Sequence, residues 1–246
     1  MPLDQADAIV LRTSALGDID KLAVFLTREK GLVRGVAKGA RKFGNRFGSA
    51  LEPMSHVTVF YYEKERRDLV TVSGCDLVES FFEIQADLKS SLTLSYFAEL
   101  IEEVVPGRSG EDVMFRLLLS VLRALRMKGE LGLLTRYFEA WFLQANGFLP
   151  DVGRCRGCRR ELAAEEAGWL SPKRDGIYCD ACAPARRDEV RRELARFVQW
   201  ARRNPPPSTD EIPFSPGELK AVQKNLQALI VFHLEREPRS LRYIRE

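Results

Sequence analysis

Hydrophobic and polar positions change period once along this chain, near residue 83. Before that point the alternation is two-fold. Ala8, Val10 and Arg12 fall on one face and Ile9, Leu11 and Thr13 on the other. Lys21 to Thr27 repeats the pattern, Arg28-Glu29-Lys30-Gly31 reads as a turn, and Leu32 to Ala37 follows as a hairpin partner. His56 to Tyr62 and Asp68 to Cys75 form a second strand pair around the polar tip Glu63-Lys64-Glu65-Arg66-Arg67. Five strands in about 75 residues suit a small closed barrel, because closure removes exposed strand edges.

Beyond residue 83 the period is helical. Leu92, Tyr96, Leu100 and Val104 recur at i, i+4, and Pro106-Gly107 ends that run. Asp112 to Met127 is apolar on nearly every side, which predicts a helix at the centre of a bundle. Leu131 to Ala145 brings Leu134, Tyr137, Phe138, Trp141 and Phe142 at bundle spacing. Asp188 to Arg203 turns Leu194, Phe197, Val198 and Trp200 inward and stops at Asn204-Pro205-Pro206-Pro207. A last helix opens at Ser215-Pro216, with Ser as N-cap and Pro at the first position. The expectation is an α+β multidomain protein: a barrel over 1–80, then a helical domain over 81–246 that carries a cysteine module at 151–186. The strand pattern alone does not separate an oligonucleotide-binding (OB) barrel from an SH3-like one.

The cysteines change the picture most. Cys155, Cys158, Cys179 and Cys182 form two C-x-x-C pairs, and Cys75 stands apart in a strand as a small core residue. Two such pairs direct four thiolates at one point, a closed tetrahedral donor set that suits one structural Zn²⁺. A redox role is the weaker alternative, because one C-x-x-C would suffice and neither opens a βαβ unit. Arg154, Arg156, Arg159, Arg160, Arg186 and Arg187 crowd these pairs. They read as counter-charges to the thiolates, with DNA contact as the alternative.

Charge adds a second candidate site. The 246 residues hold 38 Lys and Arg against 35 Asp and Glu, a net charge of only +3. Within residues 21–47, however, Lys21, Arg28, Lys30, Arg34, Lys38, Arg41, Lys42 and Arg46 face the single acid Glu29. Gly35, Gly39, Gly44 and Gly48 suggest a flexible loop there, able to approach a polymer closely. Phe43 and Phe47 interleave the cations, as where phosphates lie on Lys or Arg and bases stack on rings. Spaced four apart, the two rings equally suit one face of a short helix plugging the barrel end. The other bland reading, a solvated cationic face, requires less charge than this segment holds.

The remaining composition mainly excludes. Hydrophobic residues at 45% and charged residues at 30% rule out disorder as the main state. No apolar run reaches the roughly 18–20 residues that span a bilayer, and the acidic start MPLDQADAIVLRTS is no signal peptide. A cytoplasmic protein without membrane contact is expected. The only histidines, His56 and His233, lie far apart, and no phosphate loop, H-E-x-x-H or G-x-S-x-G occurs. The chain is expected to bind rather than catalyse.

Several of these features resemble one family along essentially the whole chain. They are Ala8-Ile9-Val10-Leu11 with Gly17-Asp18-Ile19-Asp20-Lys21-Leu22, then Phe25-Leu26-Thr27 with Lys30-Gly31-Leu32, and the run Val36-Ala37-Lys38-Gly39-Ala40-Arg41-Lys42. Asn146-Gly147-Phe148-Leu149-Pro150 then precedes Cys155-Arg156-Gly157-Cys158. Together they resemble the bacterial recombination-mediator family RecO. That resemblance implies an OB barrel and a zinc module inserted in a helical domain. It implies binding of single- and double-stranded DNA, and annealing of complementary strands without ATP. It also implies partnership with RecR and contact with the acidic tail of single-strand-binding protein, so that RecA can load, in a cytoplasmic, nucleoid-associated setting. Arg116, Arg123, Arg126 and Lys128 are candidate contacts for that tail. A protein-interaction adaptor, or an RNA-binding translation factor, would use the same basic barrel.

Overall fold

The computed structural model describes residues 3–63, 68–107, 110, 112–163, 166–186, 189–190, 192–206 and 214–244. They fall into two compact units, Met1–Arg126 with Pro238–Glu246, and Met127–Glu237. The polar tip residues 64–67, together with Arg187 and Asp188, lie outside the described residues. Among the described residues no helix is long and apolar enough to cross a membrane.

The first unit is built on β1 (Leu3–Leu16), β2 (Asp20–Thr27), β3 (Gly31–Ala37), β4 (His56–Tyr62) and β5 (Leu69–Glu79). They close in the order β1-β2-β3-β5-β4, with β4 returning to β1. All pairings are antiparallel except β3 with β5. This is the five-stranded OB barrel. Ala8, Val10, Ala23, Phe25, Val33, Val57, Val59, Tyr61 and Val72 fill it. Closure depends on Gly35: a Cβ there would stand 2.7 Å from a Val72 methyl and 2.8 Å from a Val70 methyl. Gly35 is therefore a close-approach residue inside β3, not part of a flexible loop.

Strands β1 and β2 are buried on both faces over Ala8–Leu11 and Ala23–Thr27, where Ile9, Leu11, Val24 and Leu26 are as inaccessible as their inward neighbours. Their outer face is covered by α1 (Leu88–Val104) and α2 (Asp112–Arg126). The expected place of residues 112–127 at a bundle centre is thus corrected. Helix α2 is two-sided, burying Met114, Phe115, Leu118, Val121 and Leu122 while Arg116, Arg123 and Arg126 look outward. Its unit is the barrel's. The chain end returns to this unit, where Glu99 of α1 accepts the backbone N–H groups of Arg239 and Ser240 at 2.8 and 2.9 Å.

The second unit holds α3 (Leu131–Ala145), α4 (Arg192–Arg203) and α5 (Pro216–His233), with a small sheet of β6 (Gly168–Leu170), β7 (Ile177–Tyr178) and β8 (Glu189–Val190) in the order β7-β6-β8. Helix α5 starts in a full capping box. Ser215 Oγ accepts the Glu218 N–H at 3.3 Å, and the Ser215 N–H donates to the Glu218 carboxylate at 2.7 Å. Trp141 and Tyr137 of α3 donate to the carbonyls of Ala201 and Asn204, at 3.2 and 2.9 Å, fixing the end of α4. In the core Arg136 and Glu139 form an ion pair at 2.7 Å, with side chains 6% and 0% exposed.

Candidate nucleic-acid interface and metal centre

The β2–β3 hairpin sorts the eight cations by their place along it. Its turn lies at one end of the barrel. The β1–β2 turn and the segment after β3 lie at the other, about 20 Å away at roughly 3.3 Å per strand residue. At the β2–β3 turn the charge is neutralised. Arg28 pairs with Asp112 of α2 at 2.7 Å, and Lys30 with Asp4 of β1 at 3.1 Å. Arg34, in mid-strand, reaches Glu102 of α1 at 3.9 Å, a carboxylate that also grips Arg12 at 2.6 Å. Lys21 stands 3.7 Å from Glu52.

The opposite end, where Lys21 meets Glu52, also carries cations with no carboxylate partner among the described residues. Residues 38–55 are a wound series of turns rather than a flexible loop. Lys42, Asn45, Ala50 and Ser55 donate to the carbonyls of Gly39, Lys42, Phe47 and Glu52. The Met54 N–H fastens the end of the series to the Val10 carbonyl. Lys38, Arg41, Lys42 and Arg46 are exposed on it, and none is ion-paired among the described residues. Arg41 donates to the Gly17 carbonyl at 2.7 Å and Arg46 to the Ser73 carbonyl at 2.9 Å, which orients both guanidinium groups without cancelling their charge.

The two aromatic rings part company. Phe43 is fully exposed at the tip of the cationic turns, whereas Phe47 is 3% exposed and belongs to the barrel core beneath Arg46. A base cannot reach Phe47, so the stacking expectation is corrected for that ring: it plugs the barrel end. Only Phe43 is open to a ligand.

The four thiols converge. Arg159 N–H returns to the Cys155 carbonyl at 2.9 Å, and Cys182 N–H to the Cys179 carbonyl at 3.0 Å. Each C-x-x-C loop therefore turns back on itself. A backbone bridge between Cys155 and Ile177 lays one loop beside the strand feeding the other. Cys179 N–H donates to Cys155 Sγ at 3.3 Å, and the Cys158 and Cys179 sulfurs lie 3.9 Å apart. All four sulfurs lie within 4.8 Å of one another. A tetrahedral site with bonds of about 2.3 Å has sulfur–sulfur edges of about 3.8 Å, which the Cys158–Cys179 edge matches at 3.9 Å, so the donor set can hold such an ion. Gly157 permits the approach, since a Cβ there would lie 3.0 Å from Cys182 Cβ.

The thiol electrostatics point the same way. Burial pushes Cys155 up, but the N–H groups of Cys179, Cys158 and Gly157 outweigh it and bring the thiol down to about 6. Cys182, by contrast, is pushed up to about 12 by its hydrogen bonds to Cys179 and Cys158. Four such thiols cannot all ionise together without a cation between them. The four residues can hold a metal ion, and among the described residues no further His, Cys, Asp or Glu joins their cluster.

The surrounding arginines mostly answer to carboxylates. Arg156 pairs with Asp175 at 2.9 Å, Arg186 with Asp180 at 2.7 Å, Arg154 with Glu161 at 3.4 Å, and Arg160 with Glu166. On α2, Arg123 and Arg126 both grip Glu79, and Arg116 pairs with Asp112 at 2.8 Å. The carboxylates Asp4, Glu102 and Asp112, which decide which barrel cations stay free, had no signal in the sequence. They lie 26 to 90 residues from the cations they meet.

An OB barrel, followed by a helical unit bearing a four-thiol cluster, makes this an α+β multidomain protein. Comparison with known families makes this specific. Residues 1–81 match the family described as Recombination protein O N terminal, and residues 85–242 that described as Recombination protein O C terminal. The chain belongs to the RecO family, whose role lies in DNA repair and recombination. It is 39% identical over 177 residues to the DNA repair protein RecO of Koribacter versatilis, covering 72% of this chain and 71% of that protein. To the DNA repair protein RecO of Desulforudis audaxviator it is 34% identical over 248 residues, 98% and 96% of the two chains. To that of Geobacter metallireducens it is 30% identical over 252 residues, 100% and 98%.

Proposed function

We propose that this protein binds single- and double-stranded DNA at the barrel end formed by Lys38, Arg41, Lys42 and Arg46, and anneals complementary strands without ATP. The observation that carries this reading is the contrast between the two barrel ends. Cations are matched by carboxylates at the β2–β3 turn and unmatched on the 38–46 turns, beside the exposed Phe43. Two strands lying on that end lose part of their mutual repulsion and can test pairing. Lys21, Arg28, Lys30 and Arg34 contribute only where DNA displaces Glu52, Asp112, Asp4 or Glu102.

Within this proposal residues 1–80 are the DNA-binding domain and 81–246 the helical domain, with 151–186 as its inserted module. Cys155, Cys158, Cys179 and Cys182 hold one structural Zn²⁺, and four thiolate donors leave no position for catalytic water. The protein acts in the cytoplasm with RecR, engages the acidic tail of single-strand-binding protein, and thereby assists RecA loading on coated DNA. It acts as a mediator, not an enzyme. The test is strand annealing without ATP, on naked strands and on strands coated with single-strand-binding protein with or without its acidic tail. Annealing is expected on naked strands and on coated strands only when the tail is present. No annealing of naked strands would overturn the reading.

A further inference from the structure

The β1–β2 turn is stitched to the cationic turns by three hydrogen bonds. Arg41 donates its backbone N–H to the Ile19 carbonyl at 3.0 Å and a guanidinium N–H to the Gly17 carbonyl at 2.7 Å. The Gly39 N–H donates to the Asp20 carboxylate at 2.8 Å. The turn held in this way exposes two large apolar side chains, Leu16 at 41% and Ile19 at 46%, at the barrel end where Phe43 stands at 108%. Leu16 ends β1 and Ile19 lies in the three-residue turn Gly17–Ile19, and at this exposure neither has a role in the barrel core. The charged groups of these segments are Lys38, Arg41, Lys42 and Arg46, with Lys21 paired to Glu52, against Asp18 and Asp20, the latter accepting the Gly39 N–H.

From this juxtaposition we infer that Leu16, Ile19 and Phe43 form an apolar ridge that touches the faces of unpaired nucleobases, and that Arg41 is a positioning residue that holds the ridge. The inference rests on the proposed DNA-binding role of this barrel end and narrows it to strands whose bases are free to leave the stack. Phosphates and bases then have separate addresses: cations for the chain, apolar side chains for the rings. A duplex offers the ridge no base face, so the ridge favours the single strand. Contact through rings and aliphatic carbon carries little sequence preference, because every base has a π-face.

The occupant follows from charge complementarity, since an apolar ridge rimmed by unmatched cations suits a ligand that is both anionic and aromatic. The test uses the full chain and fluorescence anisotropy with three probes of equal length: oligothymidylate, an abasic strand of the same phosphodiester backbone, and a duplex. Stacking contributes about five- to 150-fold in affinity per base. Oligothymidylate is expected to bind at least about fivefold more tightly than the abasic strand. A Leu16→Ser/Ile19→Ser/Phe43→Ser variant is expected to lose that difference while its duplex affinity and salt dependence stay unchanged. Those retained properties show that the variant is folded. Equal binding of oligothymidylate and abasic strand by the unaltered chain would overturn the ridge while leaving the cationic site standing. Unchanged binding in a Lys38→Ala/Lys42→Ala/Arg46→Ala variant would instead remove the cationic site beneath it. Binding to phosphatidylglycerol vesicles that the ridge variant loses, without any base-dependent difference, would assign the ridge to a lipid surface and overturn the inference.

Discussion

Replacing cations at the two barrel ends separately should give opposite results. In one variant Lys38, Arg41, Lys42 and Arg46 become Ala; in the other Arg28, Lys30 and Arg34 do. A cation already matched by a carboxylate releases few counterions on meeting a phosphate, whereas a bare one releases its share. Four bare cations at about −0.7 each give log K against log[salt] a slope of about −3 for a single strand. Between 50 and 200 mM salt that slope amounts to a loss of about 60-fold in affinity. The first variant should approach a flat profile. The second should keep the slope near −3, because Asp112, Asp4 and Glu102 occupy the groups it removes. The assay is anisotropy of a labelled oligonucleotide across a salt series. A steep slope in the first variant, or an equal flattening in the second, would refute the division of the barrel into matched and bare ends.

Metal analysis of folded, reduced protein should return one zinc per chain; chelation should abolish hydrogen-exchange protection over residues 155–182 and spare the barrel amides. Finding no zinc would remove the assignment of Cys155, Cys158, Cys179 and Cys182. Gly35→Ala should cost about 1–3 kcal/mol, because the new methyl overlaps Val72 and Val70 where β3 meets β5. A denaturant midpoint equal to the parent's would show that the barrel closes with room to spare. Burial pushes the Glu79 carboxyl up, but Arg123 and Arg126 outweigh it and hold it below the usual carboxylate range. A folded value below the unfolded one adds stability above the ordinary carboxylate range and loses it as pH falls through the depressed value. Glu79→Gln should therefore flatten the acid limb of a stability–pH profile. His56, 3.9 Å from the same carboxylate, is present in both proteins, and an unchanged acid limb would contradict the role given to the two arginines.

What the chain discloses before folding depends on the range of the interaction. The β2–β3 hairpin was legible because its register, Lys21 opposite Ala37 to Thr27 opposite Gly31, follows from a local turn and a two-residue period. The parallel pairing of Arg34–Ala37 with Leu69–Val72 has no local signature, and Gly35 looked like a loop residue until β5 was laid against it. Counting apolar residues in α2 suggested burial all round. Its arginines sit on one side, so the same composition makes a two-faced helix over the barrel. The cysteine spacing was sufficient to bring four sulfurs together, since two short loops need no distant partner. Strands β6 to β8 around it, at two or three residues each, are too short to show a period. The cationic segment was legible as charge but not as available charge, because its counter-ions come from β1, α1 and α2.

That matching of one barrel end has a consequence for how a ligand arrives. Among the described residues, the carboxylates of Asp112, Asp4 and Glu102 are set against Arg28, Lys30 and Arg34, while Lys38, Arg41, Lys42 and Arg46 have no ion-pair partner. The unpaired cations of the hairpin and the segment after it are therefore gathered, among the described residues, on the 38–46 turns. In the proposed DNA-binding role, a polyanion would be steered toward that end before contact, and salt would weaken that guidance along with the binding. In that role the acids on α1 and α2 would act at a distance on an encounter in which they take no part, by pairing with cations that would otherwise attract the strand elsewhere.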